Sequence, residues 1–223
     1  MEDARTRPSY VRLGFWALWV VLFAALNYSE RGARADPDVI YKFSTFASGA
    51  IFYAIWLGAV LLIAIDRFDL LALRAPRSWK KALGLAAIAA VAIVTCEYLV
   101  TLLPLPISPG KEQGLAPTHW EAGHAAAFAA NVVLFAVIGP FVEELMFRGL
   151  GQSLLRFLGR VPAILLVGIA FGVDHGLVEG LLILIPFGIA LAWVRDRTDS
   201  VWPGMIVHGL FNGGSLALAV LVS

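Results

Sequence analysis

Three short clusters of polar residues interrupt the apolar sequence in the second half of the chain. They read Phe141-Val-Glu-Glu-Leu-Met-Phe-Arg148, Phe171-Gly-Val-Asp-His175 and His208-Gly-Leu-Phe-Asn212. An ionisable side chain at membrane depth costs several kcal/mol and usually marks a functional site. We therefore begin with the chemistry that these residue types can perform.

The first cluster contains two adjacent carboxylates that have different surroundings on a helix. Glu144 and Arg148 lie one turn apart on one face and are expected to form an ion pair. Glu143 is rotated by about 100° from Glu144 and cannot share that partner as easily. Pro140, just upstream, frees a backbone carbonyl and allows the helix to bend. The spacing predicts that Glu144 is neutralised locally and that Glu143 faces another part of the protein.

The other two clusters supply imidazole and amide groups at one-turn spacing. Phe171 and His175 share a helical face, as do His208 and Asn212. A carboxylate can activate a water as general base, and a histidine can position that water or pass on its proton. Imidazole and amide N–H groups can donate to the oxyanion of a tetrahedral intermediate. We expect Glu143 as the base, His175 as its helper, and His208 and Asn212 as the oxyanion donors of a peptide hydrolysis.

The elements that must position these residues are membrane helices. The composition is 60% apolar and 15% charged, and the mean hydropathy is +0.81. A water-soluble domain of this size requires more polar residues to cover its surface. A net charge of +1 gives no indication of nucleic-acid binding, and the single cysteine, Cys96, excludes an internal disulfide. No cleavage site follows the first apolar run, so we expect it to remain as the first span.

Stretches long enough for a bilayer core predict an all-α, polytopic transmembrane helical bundle of about seven spans. The catalytic core is expected in the last four spans. We divide the chain into residues 1–124, with transmembrane helices and an external loop or interfacial lid at 104–124, and residues 125–223, which contain the three polar clusters. Gly168 with Gly172, and Gly209 with Gly213, predict close helix contacts. The predicted spans are 13–27, 44–65, 82–103, 125–147 (or longer, to about Leu158), 161–175, 180–194 and 201–222.

The distribution of Lys and Arg predicts the orientation of the chain. Most of these residues fall on the side of the membrane that carries the N-terminus. We therefore place the N-terminus in the cytoplasm and the C-terminus outside. If the source is prokaryotic, the membrane is the plasma or inner membrane. The residues on the cytoplasmic side are Arg5, Arg7, Arg12, Arg67, Arg74, Arg77, Lys80, Lys81, Arg148, Arg156, Arg160, Arg195 and Arg197. The residues on the opposite side are Arg31, Arg34, Lys42 and Lys111.

In type, order and spacing, the three clusters resemble the motifs of the CPBP family of intramembrane proteases, which includes CAAX prenyl endopeptidases and bacteriocin-processing, Abi-like proteins. The matching segments, EELMFR at 143–148, FGVDH at 171–175 and HGLFN at 208–212, lie within roughly 125–222. The resemblance implies an all-helical fold and a glutamic-type endopeptidase, in which residues 125–223 are the protease core and the transmembrane helices of residues 1–124 are peripheral. The residues that it carries over are Glu143, Glu144, Arg148, His175, His208 and Asn212 as catalytic residues and Phe171 as a supporting residue.

The resemblance does not choose a substrate. One branch of the family acts on prenylated CAAX tails, whereas many bacterial relatives have no prenylated substrates. We expect cleavage of a peptide bond near the membrane in a membrane-associated or lipid-anchored protein or peptide. The expected partners are that substrate and membrane lipid, without nucleic acid, and the oligomeric state is left open.

Three alternatives remain open at this point. Glu143, His175 and His208 form a plausible Zn²⁺ ligand set. We nevertheless expect no metal or other cofactor, because the resemblance points that way and no His-Glu-x-x-His helix is present. Buried acids and histidines also occur in proton-coupled transporters, and a non-catalytic immunity or scaffold protein could retain the motifs.

The remaining ionisable residues are assigned to simpler roles. Asp174 and Glu179 are expected to be solvated loop charges at the outer surface. We interpret His119, Glu121 and His124 as surface residues, because their spacing is too loose for a metal site.

Overall fold

The computed structural model describes residues 9–30, 38–105, 112 and 119–221. Within this part of the chain the secondary structure is helical and contains no strand. Seven long helices follow one another, and they are numbered here in chain order. They are α1 (Tyr10–Ser29), α2 (Phe43–Ile63), α3 (Trp79–Thr101), α4 (Ala122–Leu158), α5 (Arg160–Asp174), α6 (Leu181–Thr198) and α7 (Trp202–Leu221).

The all-helical fold is confirmed, and every predicted span falls on one of the seven helices. By length and composition, α1, α2, α3, α4 and α7 can each cross a membrane. Helix α5 has only 15 residues, and α6 ends in a turn that carries Arg195 and Arg197. Arg5, Arg7, Arg31, Arg34, Lys111 and most of the predicted lid lie outside the described residues. The predicted orientation therefore stays a prediction.

Residues with positive φ mark the ends of two core helices. Gly159, with φ of +98°, separates α4 from α5, and a glycine adopts this conformation without a Cβ penalty. Asp199 has φ of +53° and follows the last residue of α6, a left-handed cap that satisfies the helix end. These two short connections keep α4 next to α5 and α6 next to α7.

Helix α4 is long but irregular. Two π-helical segments, Leu134–Ile138 and Leu145–Gly151, flank the regular segment Gly139–Glu144. Pro140, which has no N–H to donate, lies in the first turn of that regular segment. A π segment changes which side chains share a face and frequently occurs at functional sites. Glu143 and Glu144 thus lie between two changes of helical phase.

Glycines allow the core helices to approach closely, as the sequence predicts. A Cβ at Gly188 would lie 2.6 Å from the carbonyl oxygen of Gly168, and one at Gly172 would lie 3.0 Å from the backbone nitrogen of Ile185. Helices α5 and α6 are therefore in backbone contact. A Cβ at Gly209 would lie 2.5 Å from the carbonyl oxygen of Ala136, which brings α7 equally close to α4.

The first two helices pack directly against α4. The indole of Trp16 in α1 is buried and donates to the carbonyl of Met146 over 3.0 Å. In α2, the buried Trp56 packs against Phe147, with 6.3 Å between ring centroids. One hydrophobic core includes these side chains together with residues of α5, α6 and α7. The predicted division at residue 124 stays a prediction, but the helices before it contribute to the packing of the helices after it.

Candidate active site

The expected ion pair between Glu144 and Arg148 lies in the centre of the protein. Arg148 Nη1 donates to Glu144 Oε1 over 2.8 Å, and both side chains are fully buried. Arg148 Nη2 also donates to the carbonyl of Gly188 over 3.2 Å, and the guanidinium lies 4.2 Å from the ring centroid of Phe171. Arg148 thereby connects α4 to α5 and α6. The carboxylate of Glu144 is held in one place by this network.

The irregular segment that carries Arg148 is held by polar side chains. Arg195 Nε donates to the carbonyl of Arg148 over 3.0 Å, and Arg195 Nη2 donates to Ser153 Oγ over 2.8 Å. Gln152 Nε2 donates to the carbonyl of Ala192 over 2.9 Å. These bonds connect the segment to α6. Arg195 was expected as a charge at the cytoplasmic side, but only 3% of the residue is exposed.

Glu143 faces a different set of side chains. Tyr53 Oη in α2 donates to Glu143 Oε1 over 2.8 Å. The other oxygen, Oε2, lies 3.7 Å from His208 Nε2 in α7. The Glu143 side chain is 13% exposed, whereas that of Glu144 is 0% exposed. Of the two adjacent carboxylates, Glu143 is therefore the one that a reactant can reach.

His208 lies between the two carboxylates. Its Nδ1 is 3.1 Å from Glu144 Oε1. Because an ionised carboxylate can only accept a hydrogen bond, we assign the imidazole proton to Nδ1. In the neutral imidazole this leaves Nε2 as an acceptor that faces Glu143. The rings of Phe187 and Phe171 contact the histidine edge-on, with centroids 5.0 Å and 5.6 Å away. The position of the imidazole is thus set by aromatic packing and by Glu144.

Phe171 and His175 form a second part of the same site. His175 Nδ1 lies 2.8 Å from the carbonyl oxygen of Phe171. This carbonyl fixes the proton on Nδ1 and leaves Nε2 of His175 as the free acceptor. The two rings are 4.6 Å apart, and His175 interacts electrostatically with Glu143 and His208. Phe171, expected as a supporting residue, contacts Arg148, His175, Phe187 and His208.

Asn212 lies one turn beyond His208 and contacts the backbone. Its Nδ2 donates to the carbonyl of Phe135 over 2.9 Å, within the first π segment of α4. An amide nitrogen carries two N–H groups, so this bond uses one of them. The structure brings Glu143, Glu144, Arg148, Phe171, His175 and His208 into one cluster, and it shows Asn212 bound to α4 beside that cluster.

The expectation that Asp174 is a solvated loop charge is wrong. Asp174 is the last residue of α5 and only 4% exposed, and its Oδ1 has no hydrogen-bond partner among the described residues. Helix α1 covers it, since Asn27 Nδ2 donates to the Asp174 carbonyl over 2.5 Å. Asp174 interacts electrostatically with Glu143 and Tyr53. The sequence motif alone gives no sign of this cover, which comes from a distant helix.

Sequence reasoning also missed Tyr53. The only available signal was a hydroxyl group in the middle of an apolar predicted span, where a buried Tyr O–H usually has a hydrogen-bond partner. Nothing in the sequence says that this partner is Glu143.

Metal-ligand geometry is found elsewhere in the described part of the chain. The ligand atoms of Asp38, His119 and Glu121 lie within 4.8 Å of one another, and no other group of three or more His, Cys, Asp or Glu there meets this limit. Hydrogen bonds from His119 and His124 lower the pKa of Glu121. The side chains of His119 and His124 are 54% and 61% exposed, which agrees with their interpretation as surface residues. Metal dependence of the site around Glu143 stays a prediction.

Comparison with known proteins finds a similar family for the segment that carries most of this site. Residues 125–214 match a family model described as type II CAAX prenyl endopeptidase Rce1-like. Over these residues the chain is similar to this CAAX-protease family, as the motifs indicate, and the protein is an integral membrane protein. The matched segment contains Glu143, Glu144, Arg148, Phe171, His175, His208 and Asn212, whereas Tyr53 lies outside it. Neither a curated protein nor a solved structure matches the chain.

Proposed function

We propose that the protein is an intramembrane endopeptidase in which Glu143 activates a water. The observation that carries this proposal is the different environment of the two carboxylates. Glu144 is buried and held by Arg148 and His208, whereas Glu143 is partly exposed and faces the Nε2 atom of His208. A general base must reach the proton that it accepts, and Glu143 is the accessible one of the two carboxylates.

In the proposed mechanism, Glu143 accepts a proton from water as the water oxygen attacks the scissile carbonyl. Glu143 then returns this proton to the amine leaving group, so that one water is consumed for each peptide bond. His175, with its Nδ1 proton on the carbonyl of Phe171, offers Nε2 to position the water. The second amide N–H of Asn212, and His208 when protonated, are the proposed donors to the oxyanion.

The proposed substrate is a membrane-associated or lipid-anchored protein or peptide. Its scissile bond must reach a site formed by α2, α4, α5 and α7, and three of these helices are long and apolar enough to cross the membrane on their own. Membrane lipid is the second partner. We retain the orientation proposed from the charge distribution, with the N-terminus in the cytoplasm.

The test compares Glu143→Gln with the wild-type protein at equal expression. New N-termini in membrane fractions are identified by mass spectrometry, and cleavage of the substrates found in this way is then repeated with purified protein. Glu97→Gln is the matched control, since Glu97 is a half-buried glutamate in α3. We expect Glu143→Gln to abolish cleavage and Glu97→Gln to retain it.

Full cleavage by Glu143→Gln would reject the mechanism. If neither the wild type nor the variant produced new N-termini, and both proteins still performed their function in the cell, the immunity or scaffold alternative would be favoured. Proton flux in vesicles that disappears in Glu143→Gln, without any cleavage, would favour the transporter alternative.

A further inference from the structure

Tyr53 reaches the site from outside the segment that matches the protease family. It lies in the middle of α2, whereas the family match begins at residue 125. Its hydroxyl donates to Glu143 Oε1 over 2.8 Å. The carboxylate to which we assign the proton transfer is therefore in contact with the N-terminal half of the chain.

Gly139 provides the space that this contact needs. A Cβ at position 139 would lie 2.7 Å from Tyr53 Oη and 2.9 Å from its Cζ. Gly139 precedes Glu143 by one helical turn, so both lie on the face of α4 that Tyr53 approaches. The same face therefore offers a gap for the ring and an acceptor for the hydroxyl. An alanine at residue 139 would displace the hydroxyl from Glu143.

The ring of Tyr53 is also held on its own side. Phe52 packs edge-on against it, with centroids 5.3 Å apart, and the buried Trp56 lies one turn further along α2. At the other end of the contact, Gly49 allows α2 to approach the side chain of Leu134. Helix α2 is thus fitted against α4 at two levels, and Tyr53 is not free to follow a displaced carboxylate.

The other groups around Glu143 cannot replace this donor. Helix α7 contributes His208 at 3.7 Å, which is too long for a hydrogen bond. Helix α5 contributes His175 and Asp174, and α4 contributes Glu144 and Arg148. Arg148 is already bonded to Glu144, and the carboxylate of Asp174 repels that of Glu143 when both are ionised. The Tyr53 hydroxyl is the one hydrogen-bond donor that the described residues direct at Glu143 within 3.5 Å.

We infer that Tyr53 is a positioning residue for Glu143 and that Gly139 is the residue that admits it. By binding Oε1, the tyrosine directs Oε2 towards His208. The N-terminal helices are then part of the catalytic machinery as well as of the packing. This inference rests on the proposed function.

The experiment measures kcat and KM for Tyr53→Phe, Gly139→Ala and the double variant, in detergent, on a substrate identified as above. Loss of one hydrogen bond to a charged group corresponds to a fall in kcat of about 10- to 100-fold, with little change in KM. Gly139→Ala is expected to have the same effect, and the double variant is expected to be no worse than either single variant, because both remove one contact. Tyr98→Phe and Gly58→Ala are the controls, since Tyr98 is 64% exposed and a Cβ at Gly58 meets nothing within 4 Å.

Several results would overturn the inference. These are unchanged kcat in Tyr53→Phe, an effect confined to KM, or effects of the two substitutions that multiply in the double variant. Phenylalanine retains the ring, so a loss of folding in Tyr53→Phe would assign the hydroxyl to stability and would reject the inference too. The proposed function fails separately, through activity of Glu143→Gln, whereas an inactive Glu143→Gln with a fully active Tyr53→Phe rejects only the role of Tyr53.

Discussion

Substitution of Arg148 by methionine removes the charge that neutralises Glu144 and leaves a side chain of similar length. Arg148 is fully buried and makes three contacts, with Glu144 Oε1, the carbonyl of Gly188 and the ring of Phe171. After the substitution, the carboxylate of Glu144 remains buried with His208 Nδ1 as its only partner among the described residues. Its Oε2 has no hydrogen bond in that part of the chain even in the wild type.

The magnitude follows from the burial of both groups. Removal of one partner of a buried ion pair costs about 3–5 kcal/mol, because an uncompensated charge stays in a medium of low dielectric constant. We expect a value of about 3 kcal/mol here, since the unfolded helices also stay in an apolar environment and part of the cost is present in both states. Replacement of both charges, in Glu144→Gln/Arg148→Met, is expected to recover most of this loss.

The assay is reversible unfolding by SDS in mixed detergent micelles, applied as a double-mutant cycle. The matched control is the pair Arg67–Asp69, whose side chains are 29% and 61% exposed. Removal of that pair is expected to cost less than about 1 kcal/mol. Equal costs for the two pairs, or a double variant at Glu144 and Arg148 that is as unstable as Arg148→Met, would refute the reasoning.

Two further predictions concern the surroundings of the site. Gly188→Ala is expected to lower the unfolding midpoint and to reduce cleavage, because its Cβ would lie 2.6 Å from the carbonyl oxygen of Gly168 and would separate α6 from α5 and from Arg148. Thermal unfolding of this variant is compared with that of Gly214→Ala, where a Cβ meets nothing within 4 Å. Equal midpoints for the two variants would contradict the prediction. Asp174→Asn is expected to maintain or raise the unfolding midpoint, because it removes a buried carboxylate whose Oδ1 has no partner among the described residues. A midpoint several degrees below that of the wild type would show instead that the carboxylate makes a stabilising contact.

Much of the fold follows from local patterns in the sequence. Apolar stretches of membrane length determine the helices, and glycines at one-turn spacing mark the face of α5 that a neighbouring helix approaches. The pair Glu144–Arg148 is predicted from its one-turn spacing, and it forms although Arg148 lies in a π segment. The adjacent position of Glu143 then implies a different environment for the second carboxylate.

The partners of Glu143 depend on contacts between distant parts of the chain. Its contact with Tyr53 requires α2 to dock against α4, and the cover over Asp174 comes from α1. The π segments of α4 also shift the helical phase on either side of the two glutamates, so that a regular repeat cannot be extended through them. The sequence by itself determined a membrane protein with an acid and histidine site and its internal ion pair. Only the tertiary structure decided which helices enclose the accessible carboxylate, because that choice depends on how separate helices pack.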